Sequence, residues 1–355
     1  MTNKSIKVGI LGASGYTGSE LIRLILKHPN LKLEFAAANN NAGQKLNEIF
    51  PYLYGTNDIM LKKWEDLNWN SIDVIFSCLP HGIFHQIFLE LPKDKLIIDL
   101  SADFRLVDSR HYSEWYNFEH KSKDYLNKFV YGLTELNREK IKNTNLISCP
   151  GCYPTATLLG LYPLIKGGFA DTESIVINAK SGVSGAGRNL KRDLLFPEVS
   201  ESIRPYSAVG HRHIPEIEQQ IEEYANNPQN ALNQKAVINF IPHLVPMNRG
   251  ELVVTHINLK KQIDINGLYD LFNSYYNKEG FIQVLQDGVL PNTVNVRGTN
   301  NCQISICPSR IKDSVVIISS IDNLIKGSSG QAIQNMNLNL GLGEEIGLSH
   351  ISLFP

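Results

Sequence analysis

The chain has 355 residues and carries 34 Lys plus Arg against 35 Asp plus Glu. That balance leaves no basic stripe or tail for nucleic acid or an anionic membrane surface, so neither partner is expected. No apolar run is long enough to cross a bilayer, and the length exceeds one comfortable core, which predicts two domains.

The N-terminal residues 1–7 are short and polar and run straight into a strand pattern, leaving no room for a signal peptide. The five cysteines, Cys78, Cys149, Cys152, Cys302 and Cys307, are odd in number in a large chain, which argues for reduced thiols and a cytoplasmic home.

The first 150 residues alternate strand and helix patterns. Ile6–Leu11 is an apolar run of buried-strand length, followed by the turn Gly12-Ala13-Ser14-Gly15-Tyr16-Thr17-Gly18. Ser19–Lys27 then carries Leu21, Ile22, Leu24 and Ile25 at helical spacing and stops before Pro29. Leu33–Ala38, Asp73–Cys78 and Leu96–Leu100 read as further strands. Strands alternating with crossovers predict a parallel, doubly wound sheet of Rossmann type, an α/β fold.

After Cys152 the texture changes. Strand patterns occupy Ser174–Lys180, Lys235–Pro242, Glu251–Leu259, Thr293–Asn301, Gln303–Cys307 and Ser314–Ser320. Helical patterns at Pro215–Tyr224 and Asn266–Asn277 interrupt them. This predicts a separate α+β domain with a mixed or antiparallel sheet. Asn226–Asn230 reads as a polar surface loop, and Gln331–Leu338 as a helix with Ala332, Ile333, Met336 and Leu340 on one side.

Cys152 follows Pro150-Gly151 and precedes an apolar helical run, so its thiol belongs at a helix N-terminus. Amide N–H groups and the helix dipole favour a thiolate there, the form that attacks an acyl carbon. The alternative is a small buried apolar residue, as most free cysteines are. Cys149 and Cys152 form a CxxC, but a lone pair lacks the further ligands zinc needs, so no metal is expected.

Gly12, Gly15 and Gly18 stand between a strand and a helix, the setting in which glycines admit a pyrophosphate to a helix N-terminus. After the second strand comes Asn39-Asn40-Asn41, with no carboxylate to repel a 2′-phosphate and no arginine to attract one. His211 and His213 open a predicted helix, where the local field holds imidazole neutral, as a general base requires; on their own they would read as exposed loop residues. Ser181–Arg188 is a second Gly/Ser-rich loop, either a flexible surface loop or a set of backbone donors for an anion. Arg105 lies just past a strand end, placed for an anion or for an ordinary ion pair.

These segments together resemble the N-acetyl-gamma-glutamyl-phosphate reductases, a family of the aspartate-semialdehyde dehydrogenase-like superfamily. The resemblance runs through Gly12–Gly18, Asp99–Arg105, Tyr131-Gly132-Leu133, Pro150–Thr155, Ser181–Arg188, His211–Glu216 and Gly330–Asn337. It implies a Rossmann domain, residues 1–150, completed by a C-terminal helix, residues 326–355, and a catalytic and dimerisation domain, residues 151–325. It implies NADPH as hydride donor and a homo-oligomer, dimer or tetramer. Where relatives carry Ser-Arg, this chain has Asn39-Asn40.

By the same resemblance, Cys152 attacks the acyl phosphate of N-acetyl-glutamyl 5-phosphate and phosphate leaves a thioester. Hydride reduces the thioester, and the semialdehyde departs. His211 or His213 passes the proton, and Arg105 binds phosphate. Gly12, Ser14, Gly15, Tyr16, Thr17, Gly18, Ser181, Gly182, Ser184 and Asn335 bind the cofactor. The alternatives are the same chemistry on aspartyl or aminoadipyl phosphate, and a catalytically silent nucleotide sensor.

Overall fold

The computed structural model describes residues 5–53, 59–208, 210–226 and 235–354. The polar loop expected at Asn226–Asn230 lies, beyond Asn226, outside the described residues. The chain divides into two units. One comprises the residues up to Gly151 together with Ser328–Ser349; the other comprises Cys152–Gly327 and the residues from His350 on.

The first unit holds β1 (Ile6–Leu11), β2 (Leu31–Ala37), β3 (Val74–Ser77), β4 (Leu96–Asp99), β5 (Val130–Tyr131) and β6 (Leu146–Ser148). Among the described residues they form one six-stranded sheet in the order β2-β1-β3-β4-β6-β5, every pairing parallel. Parallel strands are covered on both faces, and β3 and β4 are accordingly buried along their whole length. The strand order reverses between β1 and β3, and the turn after β1 stands at that switch point.

The helix after that turn runs Tyr16–Lys27, three residues earlier than the apolar spacing indicated. Leu21, Ile22, Leu24 and Ile25 are buried, each contributing about 1.5–3 kcal/mol. The C-terminal helix Gly330–Asn339 is buried all round rather than on one side. Side-chain amides satisfy its polar positions. Gln334 Nε2 donates to Glu135, Asn337 Nδ2 donates to the carbonyls of Glu344 and Ile346, and His28 Nε2 faces Asn337 Oδ1 at 3.0 Å.

The second unit holds β7 (Ile175–Gly182), β8 (Arg204–Pro205), β9 (Ile238–Val245), β10 (Glu251–Asn258), β11 (Ile282–Val284), β12 (Cys302–Pro308) and β13 (Ser314–Ile321). Among the described residues they form a mixed seven-stranded sheet, β11-β12-β13-β10-β7-β9-β8, parallel there only at β7/β9 and β11/β12. The helix Cys152–Lys166 packs on β13. Ser319 Oγ donates to the Ala156 carbonyl at 2.7 Å, and a Cβ at Gly160 would meet Ile317 at 3.2 Å.

Three expectations change here. Thr293–Asn301 is not a strand. Asn292 Oδ1 accepts the Val294 N–H and starts a helical turn, Thr293–Val296, despite the two valines. β9 does not stop at Pro242, whose carbonyl still accepts the Tyr206 N–H. The end of the chain, expected with the first domain through 355, groups with the second unit from His350. The Leu353 N–H donates to the Arg297 carbonyl, and Arg297 Nη2 donates to the Leu353 carbonyl.

Candidate active site

In the first unit the glycine turn is shaped by three different constraints. Gly12 has φ +80°, and a Cβ there would lie 2.5 Å from the Cys78 carbonyl oxygen. A Cβ at Gly18 would lie 2.5 Å from the Gly12 carbonyl oxygen, so the helix packs directly on the turn. Gly15, the residue before the helix, faces nearly open space: a Cβ would meet nothing nearer than 3.8 Å. No side chain caps this helix start. An open glycine before an uncapped helix N-terminus is what a pyrophosphate requires, so Gly12, Ser14, Gly15, Tyr16, Thr17 and Gly18 fit a dinucleotide.

The ribose end differs from the sequence reading. Asn39–Asn41 forms a helical turn after β2. Asn39 Oδ1 accepts the Trp64 N–H at 3.3 Å, and Asn39 Nδ2 lies 3.4 and 3.5 Å from the Glu65 oxygens. A carboxylate therefore does stand beside the end of β2, brought there from 26 residues downstream.

Arg105 is buried, its Nε on the Cys149 carbonyl at 2.8 Å and its Nη2 on the Leu100 carbonyl at 3.1 Å. Asp99 accepts both the N–H and the hydroxyl of Ser101; burial, with Asp103 nearby, pushes its carboxyl up to about 7. Asp103 accepts the Gly82 and His85 N–H groups, tying the loop after β3 to the loop after β4. Asn335 is fully buried, with Oδ1 on the Thr134 hydroxyl and Nδ2 on the Gly132 carbonyl, both at 2.7 Å.

In the second unit Cys152 is the first residue of its helix and is half-buried. Pro154 is tolerated in that first turn, where N–H groups have no intrahelical acceptor. The next side chain, Tyr153, collects both histidines: its ring is 5.8 Å from His211 and 6.0 Å from His213, edge-on to each. The two imidazoles are 4.8 Å apart, and the His213 N–H donates to His211 Nδ1. Both stand at the start of the helix Ile214–Ala225, as the sequence indicated. Burial, with Arg212 adding to it, pushes His211 down to about 3, so its imidazole is neutral near pH 7. His213 Nε2 lies 4.0 Å from the buried Glu216 carboxylate, a partner suited to an imidazolium.

Ser181 and Gly182 end β7 rather than lying in a loop. The turn that follows is braced: the Gly182 N–H donates to the Gly250 carbonyl, and Asn323 Nδ2 donates to Ser184 Oγ at 3.0 Å. Asn323 Oδ1 accepts the Gly250 N–H.

The comparisons with known proteins bear on the family and the fold. Residues 7–144 match the family described as semialdehyde dehydrogenase, NAD binding domain, and residues 152–323 match its dimerisation domain. An N-acetyl-gamma-glutamyl-phosphate reductase of Halothermothrix orenii is 45% identical over 99% of this chain and all of its own length. A probable chloroplastic one of Arabidopsis thaliana is 44% identical over 99% of this chain and 86% of its own length. The chain belongs to the N-acetyl-gamma-glutamyl-phosphate reductases. The fold extends more widely. Vibrio cholerae aspartate semialdehyde dehydrogenase II superposes with a TM-score of 0.73 at 15% identity, covering 95% of this chain and 99% of its own. A Candida albicans aspartate semialdehyde dehydrogenase solved with NADP gives 0.66 at 16% identity, covering 97% and 100%. Among the described residues no helix is long and apolar enough to cross a membrane.

Two groups of this reductase site escaped the sequence reading. Tyr153 and Tyr206, whose hydroxyls are 3.2 Å apart, wall the histidines; Tyr206 lies 5.6 Å from His211. Glu251 opens β10 fully buried beside Cys152. A signal for it existed: Glu251, Val253, Thr255 and Ile257 alternate on the inward face, an unusual place for a carboxylate.

Proposed function

We propose that the chain reduces N-acetyl-glutamyl 5-phosphate to N-acetyl-glutamate 5-semialdehyde and phosphate, a step of arginine biosynthesis, through a thioester on Cys152. The observation that carries the chemistry is Cys152 as the first residue of a buried helix, with both imidazoles against its neighbour Tyr153. The substrate follows from the relatives, whose identity of about 44–45% spans the whole chain. The solved aspartate enzymes share the fold at only 15–16% identity, so they give no ground for aspartyl phosphate as the substrate here. A silent sensor would need neither the thiol at the helix start nor the paired histidines.

Cys152 attacks the acyl carbon and phosphate leaves. NADPH, when bound, supplies the hydride that reduces the thioester. The Gly12–Gly18 turn holds its pyrophosphate, and Ser181, Gly182 and Ser184 serve its nicotinamide. We assign Asn335 to holding the Gly132 carbonyl and the Thr134 hydroxyl within the cofactor domain. Arg105, its plane fixed by two carbonyls, serves the phosphate. Collapse of the thiohemiacetal expels the Cys152 thiolate and frees the aldehyde. His213 passes the proton, because Glu216 beside it can hold an imidazolium while burial keeps His211 from becoming one. NADPH is preferred over NADH by a modest margin, since Asn39 offers an amide donor while Glu65 stands behind it. The active form is a homo-oligomer in the cytoplasm.

The test is the reverse reaction, phosphate-dependent reduction of NADP with each of three semialdehydes: N-acetyl-glutamate, aspartate and aminoadipate. N-acetyl-glutamate semialdehyde should be oxidised with by far the highest kcat/KM, and Cys152→Ser should show no turnover while still binding NADP. Preference for another semialdehyde, or a working Cys152→Ser, overturns the reading.

A further inference from the structure

Glu251 is 0% exposed, and among the described residues neither carboxylate oxygen has an N–H or O–H donor. Buried carboxylates in folded proteins are almost always paired or bonded, so an unserved one at an active site requires a reason. Its position is fixed by backbone on both sides: Glu251 pairs with Ser181 of β7 and Ile321 of β13, and its carbonyl accepts the Ser320 hydroxyl. The side chain that interacts directly with its carboxylate is Cys152. Cys152 is itself held in place, since Gly327 passes so close that a Cβ there would lie 2.7 Å from Cys152 Cβ.

We infer that the Glu251 carboxyl is the immediate proton partner of the Cys152 thiol, a second catalytic group for acyl transfer alongside the histidines. Burial pushes the carboxyl up to about 8; Asp322 adds to the shift, and the bond with Cys152 opposes it. A carboxyl raised this far can take the thiol proton and give it back near neutral pH. Tyr153 on the same helix and Tyr206 are the nearby titratable groups, both held neutral by burial. Asp322 is anchored by the Gly298 and Leu324 N–H groups, with Arg249 Nη1 3.5 Å away.

The step balances as follows. The thiol proton moves to a Glu251 oxygen as the S–C bond forms. The C–O bond to phosphate breaks, and the departing phosphate takes one proton, which His213 passes from solvent. After hydride addition to the thioester carbon, the C–S bond breaks and Glu251 returns its proton to the thiolate. One proton is consumed per turnover, as the overall reduction requires.

The inference rests on Cys152 being the acylated residue. The rate of carbamidomethylation of Cys152 by iodoacetamide, followed by peptide mass mapping from about pH 6 to about pH 10, reads the pair directly. Two coupled groups titrate in two macroscopic steps, so the parent protein should show two. Glu251→Gln should show one, and should lose about 10²-fold or more in reductase turnover. Glu251→Asp, which keeps a carboxyl, should retain two steps with altered spacing. A single step in the parent, or two unchanged steps in Glu251→Gln, overturns the pairing. If the Gln variant does not fold, Glu251→Asp decides: displaced steps support the pair, and a profile identical to the parent's refutes it. Cys152→Ser run alongside separates the two levels. If it turns over, the nucleophile assignment has failed; if it is dead while the parent titrates in one step, only Glu251 has.

Discussion

Single residues carry most of this chemistry, and they differ in how visible they were in the sequence. Cys152 was legible because Pro-Gly before an apolar run is a local signature of a helix start. The histidines were legible as a pair but not as individuals. Their division of labour depends on burial: His211, with Arg212 beside it, is pushed down to about 3, while His213 faces Glu216. His213→Asn should therefore lower kcat by about 10²–10⁴-fold, and His211→Asn should act mainly through KM. Steady-state kinetics on both variants check this, and the reverse pattern would exchange the roles. Glu65 was not legible at all, because only the fold brings it to Asn39. On the proposed placement of the ribose at the end of β2, its carboxylate weakens 2′-phosphate binding. Glu65→Gln should raise kcat/KM for NADPH relative to NADH, and Asn40→Arg should raise it further. Unchanged ratios in both variants would place the ribose elsewhere.

Elements were read well where their period was strong and local. The long parallel strands and the helices at 16–27, 214–225 and 265–276 follow their apolar spacing to within a few residues. The short strands β5, β6, β8 and β11 were missed, since two or three residues carry no period and owe their form to their neighbours. Thr293–Asn301 was misread because β-branched residues outvoted a capping asparagine. The glycine turn shows how one motif hides two functions. Gly18 is a packing position, and Gly18→Ala forces backbone against backbone at 2.5 Å, which should destabilise by about 1–3 kcal/mol. Gly15→Ala meets open space and should leave thermal stability nearly unchanged while weakening NADP binding, because the added methyl enters the side a pyrophosphate uses. Thermal unfolding and NADP titration of both variants separate the two. Equal stability losses would mean that Gly15 too is a packing position.

For the whole molecule, the chain leaves its first unit at Gly151, builds the second, and returns at Ser328. The sequence suggested this return only through the resemblance, because a ten-residue helix bearing Gln331, Gln334, Asn335 and Asn337 looks like a surface element. It is buried because each of these amides finds a partner in the first unit, so the polar positions that disguised it are its docking contacts. Asn335 joins three of them at once: the Gly132 carbonyl, the Thr134 hydroxyl and the Cys149 sulfur. Replacing it with Ala leaves buried polar groups unmatched, each costing about 1–3 kcal/mol. For a unit of this size that corresponds to a fall of about 2–4 °C in unfolding temperature per kcal/mol. Asn335→Ala should therefore lower the unfolding transition that NADP raises, while NADP affinity at a temperature well below it stays close to the parent's. Calorimetry with and without NADP measures both. An unchanged transition with weakened NADP binding would instead make Asn335 a direct cofactor ligand, the role the resemblance first gave it.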